Sequence, residues 1–90
     1  MLTLPIKKKW FKMIKSGEKK EEYRELSQFY DTRLQRFVGK IIPVRLSNGY
    51  ASDSPKMDIN VLVTVGIGIS EWGAISNKKY YVLKIVDDNI

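Results

Sequence analysis

A short, highly charged segment near the N-terminus holds the side chains best suited to chemistry. Residues 18–24 contain six charged residues, among which Lys19, Glu22 and Arg24 are spaced by three and then two positions. In an extended strand, residues two apart share a face, so we expect Glu22 and Arg24 to lie side by side and Lys19 to turn towards Glu22. Such a cluster suits a polar ligand. It is equally typical of a solvated edge strand, whose charges prevent aggregation.

The residue types missing from the chain restrict the chemistry open to it. The 90 residues include no cysteine and no histidine, which excludes disulfides, thiol nucleophiles, imidazole bases and the usual zinc ligands. Any reaction must therefore use lysine, carboxylate, serine, threonine or tyrosine side chains. We expect no metal and no cofactor.

Positive charge is concentrated in the first half of the chain. Residues 1–46 hold twelve Lys/Arg and five Asp/Glu, a net charge of +7, whereas residues 47–90 hold four and five, a net charge of −1. Lys8, Lys12 and Lys15 recur at helical spacing and form a basic stripe, together with Lys9. This stripe is either a solvated helix face or a surface that contacts phosphates, and the asymmetry favours a polyanionic partner.

Turn signals divide the first half into two strands, each followed by a helix. An apolar run over residues 2–6, interrupted by a proline, predicts a strand at a sheet edge. The next helix should end at Gly17, and residues 19–25 are predicted to form a strand. Ser27 is expected to cap a second helix that ends at Gly39. The residues expected to face the core from these helices are Ile6, Trp10, Phe11, Met13, Ile14, Tyr30, Leu34, Phe37 and Val38.

The second half is predicted to be mainly β-structure. The predicted strands are residues 41–46, 57–69 and 80–86, joined by a turn at Ser47-Asn48-Gly49, an irregular loop over residues 51–56 and a connection over residues 71–77. Every odd residue of the long strand is apolar, which predicts half-burial along its length. Gly66 and Gly68 would allow a bend or bulge that helps the sheet to curl. The acidic tail after residue 86 is expected to fray.

These elements predict a single α+β domain over residues 1–90, with two helices on a small, curved or partly closed, mainly antiparallel β-barrel. We expect Trp10, Ile14, Val61, Val63 and Val82 to be buried together. The longest stretch without formal charge is about a dozen residues and alternates in polarity, so no membrane helix is expected. Without a recognisable signal peptide, we expect a cytoplasmic protein.

Several segments together resemble the ASCH domain family, which shares the PUA-like β-barrel fold. They are the charged motif Gly17-x-Lys19-x-x-Glu22-x-Arg24, the start Met1-Leu-Thr-Leu-Pro-Ile-Lys7, the segment Arg45-Leu-Ser-Asn48-Gly49-Tyr50, the segment Glu71-Trp72-Gly73-Ala74 and the final Tyr80-Tyr81-Val82-Leu83-Lys84-Ile85. The resemblance spans nearly the whole chain and rests on the order of these segments. It implies a PUA-like barrel that binds RNA in a cleft beside the barrel.

The same resemblance raises an enzymatic alternative. Related acetylcytidine amidohydrolases use a lysine, a threonine three residues later and a downstream glutamate. Lys19 occupies the lysine position, but Glu22 replaces the threonine. A carboxylate cannot supply the hydroxyl nucleophile, and it should pair with Lys19 and keep it protonated. Glu71 lies in the connection where the resemblance would place a downstream carboxylate, but loop lengths differ and the resemblance assigns it no role.

In the implied cleft, Arg45 would hold a phosphate and Tyr50 would stack on a base, with Asn48 beside them. Asn48 can instead be a simple turn residue, and Trp72 can either stack on a base or close one end of the barrel.

The leading hypothesis is an RNA- or nucleoside-binding module of the ASCH type, with Lys19, Glu22 and Arg24 as the polar floor of its cleft. The second is a small hydrolase acting on a modified nucleoside or on RNA, whose candidate catalytic residues are Lys19, Glu22 and Glu71. The third is a protein-interaction module whose acidic partner contacts the basic first half. The sequence favours binding over catalysis and leaves the oligomeric state open.

Overall fold

A computed structural model describes residues 1–86 of the chain; the tail expected to fray lies outside the described residues. Five strands and two α-helices follow one another in the order that the sequence predicts. They are β1 (Leu2–Pro5), α1 (Lys8–Ser16), β2 (Glu21–Glu25), α2 (Gln28–Leu34), β3 (Ile41–Ser47), β4 (Lys56–Ile67) and β5 (Lys79–Val86), with 3₁₀ turns at Gln35–Phe37 and Ser70–Trp72.

The strands form one mixed sheet in the order β1-β3-β4-β5-β2. Three of its four neighbouring pairs are antiparallel, and β1 runs parallel to β3. The sheet curls into a half-barrel, and its two edge strands are linked where the Arg24 guanidinium on β2 donates a hydrogen bond to the Pro5 carbonyl on β1, at 2.8 Å. The predicted α+β class, with two helices on a curved, mainly antiparallel sheet, is confirmed.

The predicted helix boundaries follow from local chemistry. Gly17 ends α1 with a φ of 86°, a left-handed conformation that favours glycine. The Ser27 hydroxyl caps α2 by accepting a hydrogen bond from the Tyr30 amide, at 3.4 Å. The second helix is shorter than predicted, because it tightens into the 3₁₀ turn after Leu34. Val38 follows that turn and is exposed, so its predicted place in the core was wrong.

The core lies between the inner face of the sheet and the two helices. Its buried members are Leu4, Ile6, Phe11, Ile14, Leu34, Val44, Leu46, Val61, Val63, Tyr81 and Leu83. The prediction that Ile14, Val61 and Val63 are buried together is confirmed. Trp10 is only half-buried against this cluster, and Val82 is buried outside it, so these two were placed wrongly.

The end of β4 differs from the predicted alternation of buried and exposed residues. The strand stops at Ile67, and the side chains of Val65, Ile67 and Ile69 are 47%, 52% and 39% exposed. β4 extends past β3, which begins at Ile41 opposite Leu62, and past the core, whose last buried member on β4 is Val63.

The two glycines of this region do not form the bulge considered from the sequence. Gly66 pairs regularly with Tyr80 in the β4–β5 register. Gly68 follows the strand and packs closely, since a Cβ atom there would lie 2.6 Å from that of Ala74 and 2.8 Å from the ring of Tyr23. Within residues 1–86, no helix is long and apolar enough to cross a membrane.

Candidate functional site

Lys19 lies in the short link between α1 and β2, and its side chain is completely enclosed. Its backbone amide donates to the Met13 carbonyl at 3.0 Å, which turns the chain back beneath the helix. The ammonium group lies 3.3 Å from Glu22 Oε1 and donates a hydrogen bond to the backbone carbonyl of Trp72. Two aromatic rings complete the enclosure, those of Trp10 and Tyr23, each centred 4.9 Å from Nζ. Such rings stabilise a cation through their negative faces.

Glu22 links this ammonium to Arg24. Its second carboxylate oxygen, Oε2, lies 2.6 Å from Arg24 Nη2, and the two residues share a face of β2 as the two-residue spacing predicts. Arg24 also donates to the hydroxyl of Tyr30 at 3.1 Å and to the carbonyl of Pro5 at 2.8 Å. The predicted ionic cluster of Lys19, Glu22 and Arg24 is therefore confirmed as geometry. Its role in binding a ligand stays a prediction.

The cluster places more positive than negative charge out of solvent. Two cations share one carboxylate, and the side chains of Lys19, Glu22 and Arg24 are 0%, 9% and 10% exposed. Burial lowers the pKa of Lys19, and the Glu22 carboxylate opposes this effect without cancelling it. The sequence led us to expect Glu22 to dominate, whereas desolvation outweighs it.

A short segment covers the Lys19 ammonium. This cap segment, residues 70–73, contains the 3₁₀ turn that supplies the Trp72 carbonyl. Gly73 closes it with a φ of 106° and packs on Trp10, since a Cβ atom there would lie 3.1 Å from the indole ring. At its other end, the Ile69 amide donates to the hydroxyl of Tyr23 at 2.9 Å, which itself donates to Glu21. Lys19 is thus inaccessible while the cap segment stays in place.

The three residues predicted to line the cleft wall have different surroundings. The guanidinium of Arg45 pairs with Asp58 across β3 and β4, at 2.7 and 2.9 Å, so it is already satisfied by a carboxylate. The amide of Asn48 donates to the Ile6 carbonyl at 3.0 Å and fixes the turn to the end of β1. Tyr50 is 92% exposed. An open cleft of about 400 Å³ is lined by Pro5, Ile6, Lys7, Asn48, Gly49 and Tyr50. Arg45 is not among these residues, and neither are the three residues of the ionic cluster, which therefore do not form the floor of this cleft.

The basic stripe is on the solvent face of α1, as predicted. Lys8, Lys12 and Lys15 are exposed, and within residues 1–86 none of them forms an ion pair. Glu71 is also exposed, and its contact is with the neighbouring hydroxyl of Ser70, at 3.5 Å. The structure does not bring Glu71 into the ionic cluster.

Sequence reasoning missed the groups that enclose Lys19. Trp10 was assigned only to the core, and Tyr23 was not considered at all. Their aromatic character beside a charged motif was the available signal. The contact with the Trp72 carbonyl had no signal, because any residue type supplies a backbone carbonyl.

The ionic cluster can hold buried charges in fixed positions, and the exposed Tyr50 ring and the lysines of α1 can contact a ligand. In the described part of the chain, no group of three or more His, Cys, Asp or Glu side chains is arranged to hold a metal ion. Comparisons with known protein families, with characterised proteins and with solved structures found no match.

Proposed function

We propose that this protein is an RNA- or nucleoside-binding module of the ASCH type, which binds its ligand in the cleft beside Tyr50 and steers it with the lysines of α1. The observation that carries the proposal is the pairing of unneutralised lysines with a nearly fully exposed aromatic ring. Lys7 joins the two features, since it lines the cleft and immediately precedes α1. The cytoplasmic location expected from the sequence is part of this proposal.

The position of Lys8 and Lys9 argues for a binding role over a structural one, whereas Lys15 lies in the last turn, where a cation stabilises the helix. Lys8 and Lys9 occupy the first turn of α1, which contains no acidic residue. The positive end of the helix dipole lies there, so cations lower the stability of the helix. Asp or Glu would stabilise this turn, so helix stability does not explain the two lysines there. Phosphate groups would supply the missing negative charge, and several lysines would attract a polyanion without reading its sequence.

Tyr50 supports a ligand with unpaired bases. A tyrosine ring that is 92% exposed contributes little to packing, yet it offers a flat surface at the rim of the cleft. Single-stranded bases stack on such rings, and each stacking contact contributes about 1–3 kcal/mol to binding. Duplex RNA does not expose base faces in this way. The ligand class we propose is therefore single-stranded RNA or a nucleoside.

The ionic cluster supports the cleft from behind. Arg24 holds the Pro5 carbonyl, and Pro5 lines the cleft, so the buried cations stabilise one of its walls. The excess positive charge of Lys19 and Arg24 over Glu22 adds a favourable potential for an anionic ligand. In this proposal the cluster acts as a positioning group.

A hydrolase is the weaker candidate, because the Lys19 ammonium is enclosed by the cap segment and bound to Glu22. We expect wild-type protein to leave acetylcytidine intact over long incubation, as followed by chromatography. Glu22→Thr, which restores the hydroxyl of the related amidohydrolases, tests whether Glu22 suppresses activity. Turnover by the wild-type chain would favour the hydrolase.

The binding proposal is tested with a fluorescent uridine oligonucleotide and purified variants. Tyr50→Ala should weaken binding by about tenfold, because one stacking contact is lost, without changing thermal stability. The triple variant Lys8→Glu, Lys12→Glu and Lys15→Glu, which we call the α1 variant, should weaken it further.

The matched control is Lys40→Glu, Lys79→Glu and Lys84→Glu, which makes the same change of net charge from +6 to zero at other exposed lysines. This control should bind more tightly than the α1 variant. Equal losses in the two triple variants, or full affinity of Tyr50→Ala, would refute the proposed site.

A further inference from the structure

A second concave surface lies away from the ionic cluster, between α2 and the β1 edge of the sheet. This α2 groove has a volume of about 390 Å³ and is lined by Met1, Leu2, Thr32, Arg33, Arg36, Phe37, Ile42 and Pro43. Its floor is apolar. Leu2, Phe37 and Ile42 are half-buried and pack against the core, so the floor is fixed, while Met1 at its end is 71% exposed.

Two arginines form the rim of the groove, and aromatic rings hold both in place. The guanidinium of Arg33 lies 3.6 Å from the centre of the Phe29 ring and donates to the Phe29 carbonyl at 2.7 Å. That of Arg36 lies 4.8 Å from the centre of the Phe37 ring. Stacked guanidinium groups lose less conformational freedom when they bind an anion than a free lysine does.

The charge of this rim is not neutralised within residues 1–86, where neither arginine pairs with a carboxylate. The nearest acidic residue in the α2 sequence, Asp31, accepts a hydrogen bond from the hydroxyl of Tyr81 at 2.5 Å. The groove therefore combines an apolar floor with a rim whose charged residues, Arg33 and Arg36, are both cationic.

We propose that the α2 groove binds an acidic segment of a partner protein, one that places an apolar side chain on the floor and carboxylates beside Arg33 and Arg36. Charge complementarity selects the acidic partner. The aliphatic part of the floor favours protein over RNA, because a sugar-phosphate chain buries little apolar area against Leu2 or Ile42, whereas a leucine or phenylalanine side chain buries more there. This surface is separate from the proposed cleft at Tyr50.

The test is selection from a displayed library of short random peptides on the full chain. We expect the enriched peptides to combine Asp or Glu with large apolar residues and, in NMR titrations, to shift the amide signals of Leu2, Phe37 and Ile42. The double variant Arg33→Glu and Arg36→Glu should weaken their binding by about tenfold or more, since it replaces attraction by repulsion. Lys79→Glu with Lys84→Glu is the matched control and should retain binding.

Three results would overturn the proposal. The first is a selection that enriches no peptides, or only peptides without acidic residues. The second is an equal loss of binding in the two double variants. The third is displacement of the peptides from the groove by the uridine oligonucleotide, as seen in the amide signals of the groove residues. The last result would assign the groove to RNA. Since the arginines are exposed, we expect the double variant to fold. If it does not fold, the NMR titration of the wild type still decides whether the peptides bind in the groove.

Discussion

Replacing Glu22 by glutamine tests how the ionic cluster contributes to stability. Glutamine keeps the size and shape of the side chain but removes the one carboxylate shared by Lys19 and Arg24, which lie 3.3 and 2.6 Å from it. Both cations would then be enclosed without a counter-charge in the cluster. Breaking a buried ion pair in this way costs about 3–5 kcal/mol, a large fraction of the free energy of unfolding of about 5–15 kcal/mol that small domains have.

The same strand provides a matched control. Glu25 lies 2.7 Å from Lys78, but the two side chains are 54% and 40% exposed. An exposed ion pair contributes about 0–1 kcal/mol, because water screens the charges in both the folded and the unfolded chain. Glu25→Gln therefore removes an equally short contact of the same chemistry and should cost little.

Equilibrium unfolding in urea, followed by tryptophan fluorescence, measures both variants. We expect Glu22→Gln to lower the free energy of unfolding by at least about 2 kcal/mol more than Glu25→Gln does. Equal losses below about 1 kcal/mol would refute the reasoning, since Glu22 would then behave as a solvated surface carboxylate.

Two further predictions concern the cap segment and a buried tyrosine. Gly73→Ala should lower the melting temperature, and should lower the free energy of unfolding by about 1–3 kcal/mol, because φ is 106° and the new Cβ would lie 3.1 Å from the Trp10 ring. Gly66→Ala is the control, since its new Cβ would meet nothing within 4 Å. An equal loss in the two variants would contradict the predicted strain at Gly73. Burial, with a smaller contribution from a hydrogen-bonded carboxylate, raises the pKa of Tyr81 from 10.0 to about 12. The folded chain therefore keeps a proton that the unfolded chain loses, and stability should fall as pH rises through this range. Urea unfolding at alkaline pH should show a smaller fall for Tyr81→Phe, and an identical fall would contradict the assignment.

Much of the fold could be predicted because it depends on local chemistry. Gly17 and Ser27 end and begin helices through their own backbone and hydroxyl groups. The two-residue spacing of Glu22 and Arg24 was sufficient to place them together on β2.

The rest depends on contacts between residues distant in the sequence. The alternation along β4 predicted which face of the sheet each side chain is on, but Val65 is exposed because the core that packs on this face ends at Val63. The pairing of Arg45 with Asp58 follows from the register of two strands, which the sequence did not define. The enclosure of Lys19 depends on the Trp72 carbonyl, 53 residues away.

The salt dependence of RNA binding is the sharpest test of the proposed role of the α1 lysines. Each lysine that contacts a phosphate of single-stranded RNA adds about −0.7 to the slope of log affinity against log salt concentration. If Lys8, Lys12 and Lys15 all make such contacts, they account for a slope of about −2, and their replacement by glutamate should remove it. We expect that steep slope in the wild type and its loss in the α1 variant. Affinity that does not change with salt, or an equal slope in both proteins, would contradict it.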